Sequence, residues 1–287
     1  MKVLSLISVP LFVIILLTTS CEKTVDDIDL TETNKKLVLH SYIYPGCDTV
    51  IAHVTSDIPY FSEDYSMGSP IDNANVIFSD NNNNEITMVY NANKNQYYGV
   101  LNNNINIDYN KRYTVEASAP DFQSVKGNCR VPKTKPGEFY LTNQKIIDDV
   151  FGDDLLLEFE IHDNPNEKNY YRMVYFEERI NWQNDTSYVR DEYVWKDYFT
   201  AKIFDDKNKQ GEVIKIKATV RDIKSETNFR MMLLSVDEHY YKYHDKINNY
   251  EYGGPFSEPT ILYSNIENGL GVLGSYTKRY KDYKITN

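Results

Sequence analysis

The sequence predicts a mainly β protein: an N-terminal immunoglobulin-like β-sandwich, then a second β-sandwich-like domain carrying one C-terminal helix. Three observations predict it. Short runs of alternating apolar and polar residues, broken by Gly, Pro, Asn and Asp, recur from Leu37 to about Arg130 and resume after Gly137. Tyrosine, which favours strands and half-exposed surfaces, occurs 25 times in 287 residues. A single stretch near the end switches to a helical period. With 41% hydrophobic and 25% charged residues the composition is ordinary for a globular chain, and the length leaves room for a core in each of two domains.

In the first domain, residues 37–131, Leu37–Ile43 leads into the Pro45-Gly46 turn, and Val50, Ala52 and Val54 then alternate with Ile51, His53 and Thr55. Ala74–Ser79 and Ile86–Tyr90 flank Asp80–Asn84, a hairpin signal in which Asn supplies the positive-φ positions. Gln96–Leu101, Arg112–Ser118 and Phe122–Val131 complete about seven strands in about a hundred residues, the spacing of an immunoglobulin-like sandwich. Residues 132–137, with Pro132 and Pro136 and no apolar residue between them, read as a linker.

The second domain, 138–287, opens with Leu155, Leu157, Phe159 and Ile161 alternating with Leu156, Glu158 and Glu160. Tyr170–Glu177 is apolar on both faces and reads as a central strand. Tyr188–Phe204 holds one or two more, Ile214–Val220 alternates with Lys215 and Lys217, and Phe229–Leu234 follows. The helix, about 236–250, starts at a capping box, Ser235 with Glu238. Val236, Tyr240, Tyr243, Ile247 and Tyr250 make one face, expected to pack on the second sandwich, and Gly253-Gly254-Pro255 ends it.

Ahead of both domains lies a leader. Lys2 precedes an apolar run, Val3–Leu17, and then Thr18, Thr19, Ser20 and Cys21. The run is too short for a comfortable membrane span and lacks a cationic stop-transfer flank, so residues 1–20 read as an export signal. The small residues ending at Cys21 resemble a bacterial lipobox, whose Cys is acylated and becomes the new N-terminus. The alternative is an ordinary secretory peptide whose cleavage site abuts a Cys. Residues 21–36 are polar and acidic and read as a tether that lifts the folded part off the bilayer. Acids just behind such a Cys resemble the export signal of surface-exposed lipoproteins in Bacteroidota. In an oxidising envelope Cys47 and Cys129 form a possible disulfide, closing a loop of about 80 residues and worth roughly 4 kcal/mol.

The ending is the most distinctive segment: Gly254-Pro255-Phe256-Ser257-Glu258-Pro259, then Ser264-Asn265-Ile266-Glu267-Asn268-Gly269-Leu270-Gly271-Val272-Leu273-Gly274-Ser275-Tyr276. With the lipobox, it resembles a family of Bacteroidota outer-membrane lipoproteins, domain of unknown function 4249. Leu37–Tyr44, Ile58-Pro59-Tyr60-Phe61, the entry from Pro70 to Val76, and Arg112-Tyr113-Thr114-Val115 also resemble that family. The resemblance implies a lipid-anchored protein of the outer membrane, exposed at the cell surface, and an accessory role beside a TonB-dependent transporter. It assigns no catalytic or ligand residue. Gly269, Gly271 and Gly274 read as positions of positive φ or close backbone approach rather than a phosphate cradle.

No residue set announces an enzyme or a cofactor. A net charge of -11 without a basic patch argues against nucleic acid. No HExxH, GxSxG or Walker loop occurs among the five histidines and their neighbours. His239 and His244 are five apart and turn to different faces of the helix. His40 and His53 fall in strands and suit cross-sheet neighbours. Asp80–Glu85 lacks the Gly and the final acid of a calcium loop, and Asp148, Asp149, Asp153 and Asp154 read first as a solvated acidic loop. Cys47 and Cys129 have no CxxC spacing, so no zinc site is expected. The remaining candidates are aromatics beside polar residues, Trp182, Trp195, Tyr60 and Phe61, which could stack on a sugar or a partner surface or simply pack in strands. The expectation is a non-enzymatic transporter accessory, with a free-standing glycan- or peptide-binding module as the alternative and a hydrolase third.

Overall fold

The computed structural model describes residues 35–57, 68–102, 104–149, 152–165, 167–180, 188–190, 203–207, 209–220, 228–249 and 262–285. All of them belong to one compact unit, Lys35–Asn287. The protein is mainly β, with curled sheets enclosing two separate apolar cores.

Seven strands build the first half: β1 (Leu37–Ile43), β2 (Thr49–Ser56), β3 (Asn75–Asp80), β4 (Glu85–Asn91), β5 (Gln96–Val100), β6 (Arg112–Ser118) and β7 (Val125–Arg130). Their period-2 patterns are realised directly. β1 buries Leu37, Leu39 and Ile43, and β6 buries Tyr113, Val115 and Ala117. They pair in the order β1-β2-β5-β4-β3-β6-β7. β4 makes the corner. Its first half pairs with β3, Met88 opposite Val76, and its second half with β5, Val89 opposite Tyr98. The chain therefore passes from one sheet to the other within a single strand. The β3–β4 turn forms as its residues demand: Asp80 accepts from the Asn82 and Asn84 amides at 2.7 and 3.0 Å, and Asn83 has φ 61°.

Two tyrosine hydroxyls fasten the crossovers. Tyr113 donates to the Asn106 carbonyl at 2.6 Å and accepts from the Asp108 amide at 2.7 Å, tying the loop before β6 back to that strand. Tyr97 does the same for the segment before β3, donating to the Ile71 carbonyl and accepting from the Ala74 amide. These are buried polar atoms with complete partners, which accounts for part of the tyrosine content.

The second half faces a three-stranded sheet, β8 (Phe139–Asp149), β9 (Gly152–His162) and β13 (Val213–Val220), against β10 (Tyr170–Ile180) and β14 (Asn228–Val236). Two short strands, β11 (Tyr188–Arg190) and β12 (Phe204–Asp205), pair with β10. Leu155, Leu157, Phe159 and Ile161 of β9 meet Tyr171, Met173 and Tyr175 of β10 and Phe229, Met231 and Leu233 of β14 in the core. Lys215 and Lys217 on the outer face pair with Glu160 and Glu158 across the strand, at 3.0 and 2.5 Å. Asp148 and Asp149 belong to β8 and Asp153 and Asp154 to β9, Asp148 opposite Asp153, so these acids lie in paired strands rather than in an open loop.

The helix α1 spans Glu238–Asn248, and its cap differs from expectation. Ser235 and Val236 still belong to β14, opposite Thr277 and Tyr276 of the last strand. The N-cap is Asp237, whose carboxylate accepts from the Tyr240 amide at 2.8 Å. Sheet pairing outcompetes the capping box for Ser235, and the next residue able to cap takes over.

The last two strands, β15 (Ile266–Glu267) and β16 (Leu270–Lys284), change the domain picture. The first part of β16 runs parallel to β1, Val38 opposite Leu270 through Ile43 opposite Ser275. Its second part runs antiparallel to β14, Tyr276 through Lys284. β15 pairs with β7, and Ile266 and Leu273 enter the first core. Residues 132–137 lie along the chain between the strands of the first core and β8. They do not divide the strands, because the C-terminal segment returns to the first sandwich and one strand serves both. The linker itself is held down: Thr277 donates to the Thr134 carbonyl at 2.8 Å and Arg279 to the Pro136 carbonyl at 3.0 Å.

Candidate functional site

The seam where β1, β16 and β14 meet carries α1, and a cluster of tyrosines and histidines gathers there. Tyr170, Leu234, Val236 and Tyr240 form a small apolar cluster there, with Tyr42, Val174, Tyr241 and Tyr276 at its margin. Tyr240 is the central ring. It meets Tyr42 edge-on at 5.1 Å, lies against His244 at 4.4 Å, and accepts a hydrogen bond from Arg172 at 2.9 Å. The helix thus sits across the seam rather than on the second sandwich alone, and Ile247 of the expected stripe is exposed.

Three of the five histidines are used here. His40 on β1 lies 2.6 Å from the Tyr243 hydroxyl, and His239 lies 2.5 Å from that of Tyr263. His244 packs on Tyr42 and Tyr240. His40 and His53 are direct cross-strand partners, as the strand pattern suggests. Burial lowers the pKa of all three seam histidines. For His40 the nearby His53 adds to this, and His244, with Arg172 and His40 beside it, is pushed down to about 3. The same burial raises Tyr42 and Tyr240. The seam is therefore built of neutral imidazoles and protonated phenols, a composition suited to joining a helix to a sheet.

Among the described residues its one buried acid is Asp237. Besides capping α1, it accepts from both the amide and the hydroxyl of Ser275 on β16, and its own amide donates to the Ser275 carbonyl at 2.9 Å. Ser275 also reaches the Arg130 carbonyl of β7 at 3.0 Å. One acid and one serine thereby connect three elements. Burial pushes the Asp237 carboxyl up to about 7, despite hydrogen bonds from Ser275, Tyr240 and His239 that act the other way.

A second polar cluster lies between the loops after β9 and β12. Asp163 accepts from the Tyr171 hydroxyl at 2.6 Å and the Gly211 amide at 2.8 Å. Asp206 accepts from the Asn169 amide at 2.8 Å. The Asn169 side-chain amide lies within 3.4 Å of an Asp163 oxygen and 3.0 Å of the Asn164 and Glu167 carbonyls. Oxygens already surround that nitrogen, so the cluster fastens two loops. Among the described residues no group of three or more His, Cys, Asp and Glu could hold a metal ion.

The sequence candidates are distributed differently. Cys21, Tyr60, Phe61, Trp182 and Trp195 lie outside the described residues, as does the Gly254–Pro259 turn. Cys47 and Cys129 are both free thiols: Cys47 is half-buried in the turn after β1, and Cys129 is buried on the inner face of β7. Burial raises the pKa of each. The C-terminal motif is where the structure adds most. Asn265 donates to the Asn128 and Leu273 carbonyls, both at 2.9 Å, and accepts from the Leu273 amide at 3.0 Å, so one side chain locks β16 to β7. Gly271 has φ 106°, and a Cβ there would lie 2.2 Å from the Leu39 carbonyl oxygen. A lone acid or amide in a sequence shows no partner, so the roles of Asp237 and Asn265 are not legible there. The Asn-Ile-x-x-Gly-Leu-Gly spacing was the available signal.

Comparison with known proteins supplies a family and no role. No curated protein matches the chain. Among solved structures, a point mutant of Salmonella alpha-2-macroglobulin is similar with TM-score 0.25 and 11% identity, over 88% of this chain and 15% of that one. A DUF4785 family protein from Legionella pneumophila is similar with TM-score 0.24 and 9% identity, over 71% of this chain and 54% of that one. The chain thus spans a small part of the first and about half of the second, and likenesses of this size carry no argument about function. The sequence match is of another order: a family model covers residues 24–282, and the chain belongs to the family described as Domain of unknown function (DUF4249).

Proposed function

We propose that the protein is an exported lipoprotein, anchored through Cys21 in the outer membrane and facing the cell surface, that acts as a non-enzymatic accessory to a TonB-dependent transporter. The observation that carries this reading is the leader: the apolar run Val3–Leu17, the small residues that end at Cys21, and the mainly polar stretch 22–36 before β1. Such a tether reaches at most about 55 Å when extended, enough to hold a folded body above a bilayer and beside a membrane partner. The family resemblance in the C-terminal motif supports the transporter context and the Bacteroidota source. The seam chemistry is in keeping with it, since the histidines and acids gathered there join strands and helix.

We also read the first seven strands as immunoglobulin-like. Support comes from the pairing β1-β2-β5-β4 on one side and β3-β6-β7 on the other, and from the Tyr113 hydroxyl bonded to backbone just upstream of β6. Such a sandwich presents its loops at two ends, suiting a module that docks rather than one that encloses a substrate.

The test is protease shaving of intact cells carrying a tagged chain, followed by affinity capture under gentle solubilisation. Loss of the protein on shaving, with a TonB-dependent transporter co-purifying, is the expected result. Protection from the protease, or capture that recovers no transporter, would overturn the surface or the accessory part respectively.

A further inference from the structure

Ser275 is fully buried on β16 and carries one hydroxyl hydrogen, yet two acceptors lie within reach of its Oγ. Asp237 Oδ2 is 2.6 Å away and the Arg130 carbonyl oxygen is 3.0 Å away. One hydrogen cannot serve both. Both contacts become hydrogen bonds if Asp237 itself carries a proton: Oδ2–H donates to Ser275 Oγ, and the Ser275 hydroxyl donates to Arg130. The remaining bonds persist in that state, because Oδ1 still accepts from the Tyr240 amide at 2.8 Å and Oδ2 still accepts from the Ser275 amide.

The surroundings favour the neutral form. The groups that face Asp237 are Tyr240 and His239 on α1, Tyr42 on β1, Cys129 on β7 and Tyr263 ahead of β15. The Arg172 guanidinium of β10 is engaged with the Tyr240 hydroxyl. Among the described residues Asp237 makes no ion pair. A charge here would therefore be buried without a counter-ion, and the hydrogen bonds from Ser275, Tyr240 and His239 offset only part of that cost.

We propose that Asp237 is a proton-operated latch: as a neutral acid it closes α1 onto β16 and, through Ser275, onto β7, and its ionisation loosens the first turn of the helix at the seam of the two sandwiches. Burial supports this by holding the carboxyl near 7, against 3.8 for an ordinary Asp. The folded state then binds the extra proton between those values. Its contribution is fully present below about pH 4 and is lost as pH rises through about 7, with the equilibrium changing up to tenfold per pH unit between. His40, His239 and His244, lowered by burial, act in the opposite direction over part of this window, so total stability does not report the latch alone. The difference between wild type and variant does.

The experiment uses the full chain, with Asp237→Asn and Ser275→Ala. Infrared difference spectra of wild type against Asp237→Asn should show a protonated carboxyl band at about pH 5.5 that vanishes by about pH 8.5. Amide hydrogen exchange at Tyr240 and Tyr241, corrected for its chemical rate, should open faster with rising pH in wild type and stay flat in Asp237→Asn. If that variant fails to fold, Ser275→Ala keeps the acid, and its titration should be displaced from that of wild type. Absence of the acid band at about pH 5.5, or identical pH dependence of exchange in wild type and variant, would overturn the proposal.

Discussion

Replacing Tyr113 by Phe isolates one oxygen that holds a crossover of the first sandwich. The ring is 2% exposed and stacked on Phe78 at 5.6 Å, so Phe keeps the volume and the packing. What disappears is the Oη that donates to the Asn106 carbonyl at 2.6 Å and accepts from the Asp108 amide at 2.7 Å. Each satisfied bond contributes roughly 0.5–1.5 kcal/mol net, and an orphaned buried amide costs about 1–3 kcal/mol. The Asn106 carbonyl can turn towards water more easily than the amide can, so the expected loss is about 2–3 kcal/mol. Burial holds the Tyr113 hydroxyl up to about 12, so the effect should not depend on pH across the neutral range. Urea unfolding followed by fluorescence gives the number, with Tyr140→Phe as control. That ring is 46% exposed on β8, and its change should stay within about 0.5 kcal/mol. A Tyr113→Phe loss as small as the control would refute the reasoning, since the crossover would then be held by ring packing alone.

Three further perturbations test the packing and the proposed anchor. Gly271→Ala should destabilise by more than about 3 kcal/mol or prevent folding, because a Cβ meets the Leu39 carbonyl at 2.2 Å, whereas Gly46→Ala, at φ 86° with nothing within 4 Å, should cost only about 1 kcal/mol. Equal losses in the two variants would show that strain rather than contact dominates. Cys129 should resist thiol reagents in the native protein and react on unfolding, and non-reducing electrophoresis should show no mobility shift; rapid native labelling of Cys129 would contradict its burial. Cys21→Ser should abolish acylation and release the chain from the membrane fraction, and retention in that fraction would argue against the anchor.

The strands of this fold were legible because period-2 alternation reports which residues face inward. β9 is an example: Leu155, Leu157, Phe159 and Ile161 are all buried, and Glu158 and Glu160 meet Lys217 and Lys215 across the outer face. Periodicity says nothing about which strand lies alongside. That is why the partner of β16 is not legible, and why a boundary at Pro132–Gly137 assigns to the second half alone a strand that also pairs with β1. Ser235 shows the complementary failure. A capping box is a local signal, and nine residues of sheet register between β14 and β16 outweigh the roughly 1 kcal/mol a cap supplies.

The same reasoning bears on what the distinctive C-terminal motif is for. A strand serving two sandwiches must lie against β1 over one half and β14 over the other, and must cross beneath a helix where they join. Four motif residues answer these demands. Gly271 lets the β16 backbone approach β1, Asn265 ties β16 to β7, and Gly274 lies under the Tyr240 ring, where a Cβ would sit 3.1 Å from that residue's own Cβ. Ser275 meets the acid that caps α1. With the described part of the motif accounted for by the joint, the recognition proposed above is to be sought outside it. Specificity for a partner is then expected to reside in segments such as 58–67 and 181–200, where the large aromatic side chains occur, and substitutions there should change capture of a transporter without changing the urea midpoint. If instead Trp182→Ala or Trp195→Ala lowered that midpoint by as much as Tyr113→Phe, the rings would be packing residues and recognition would have to be sought at the seam.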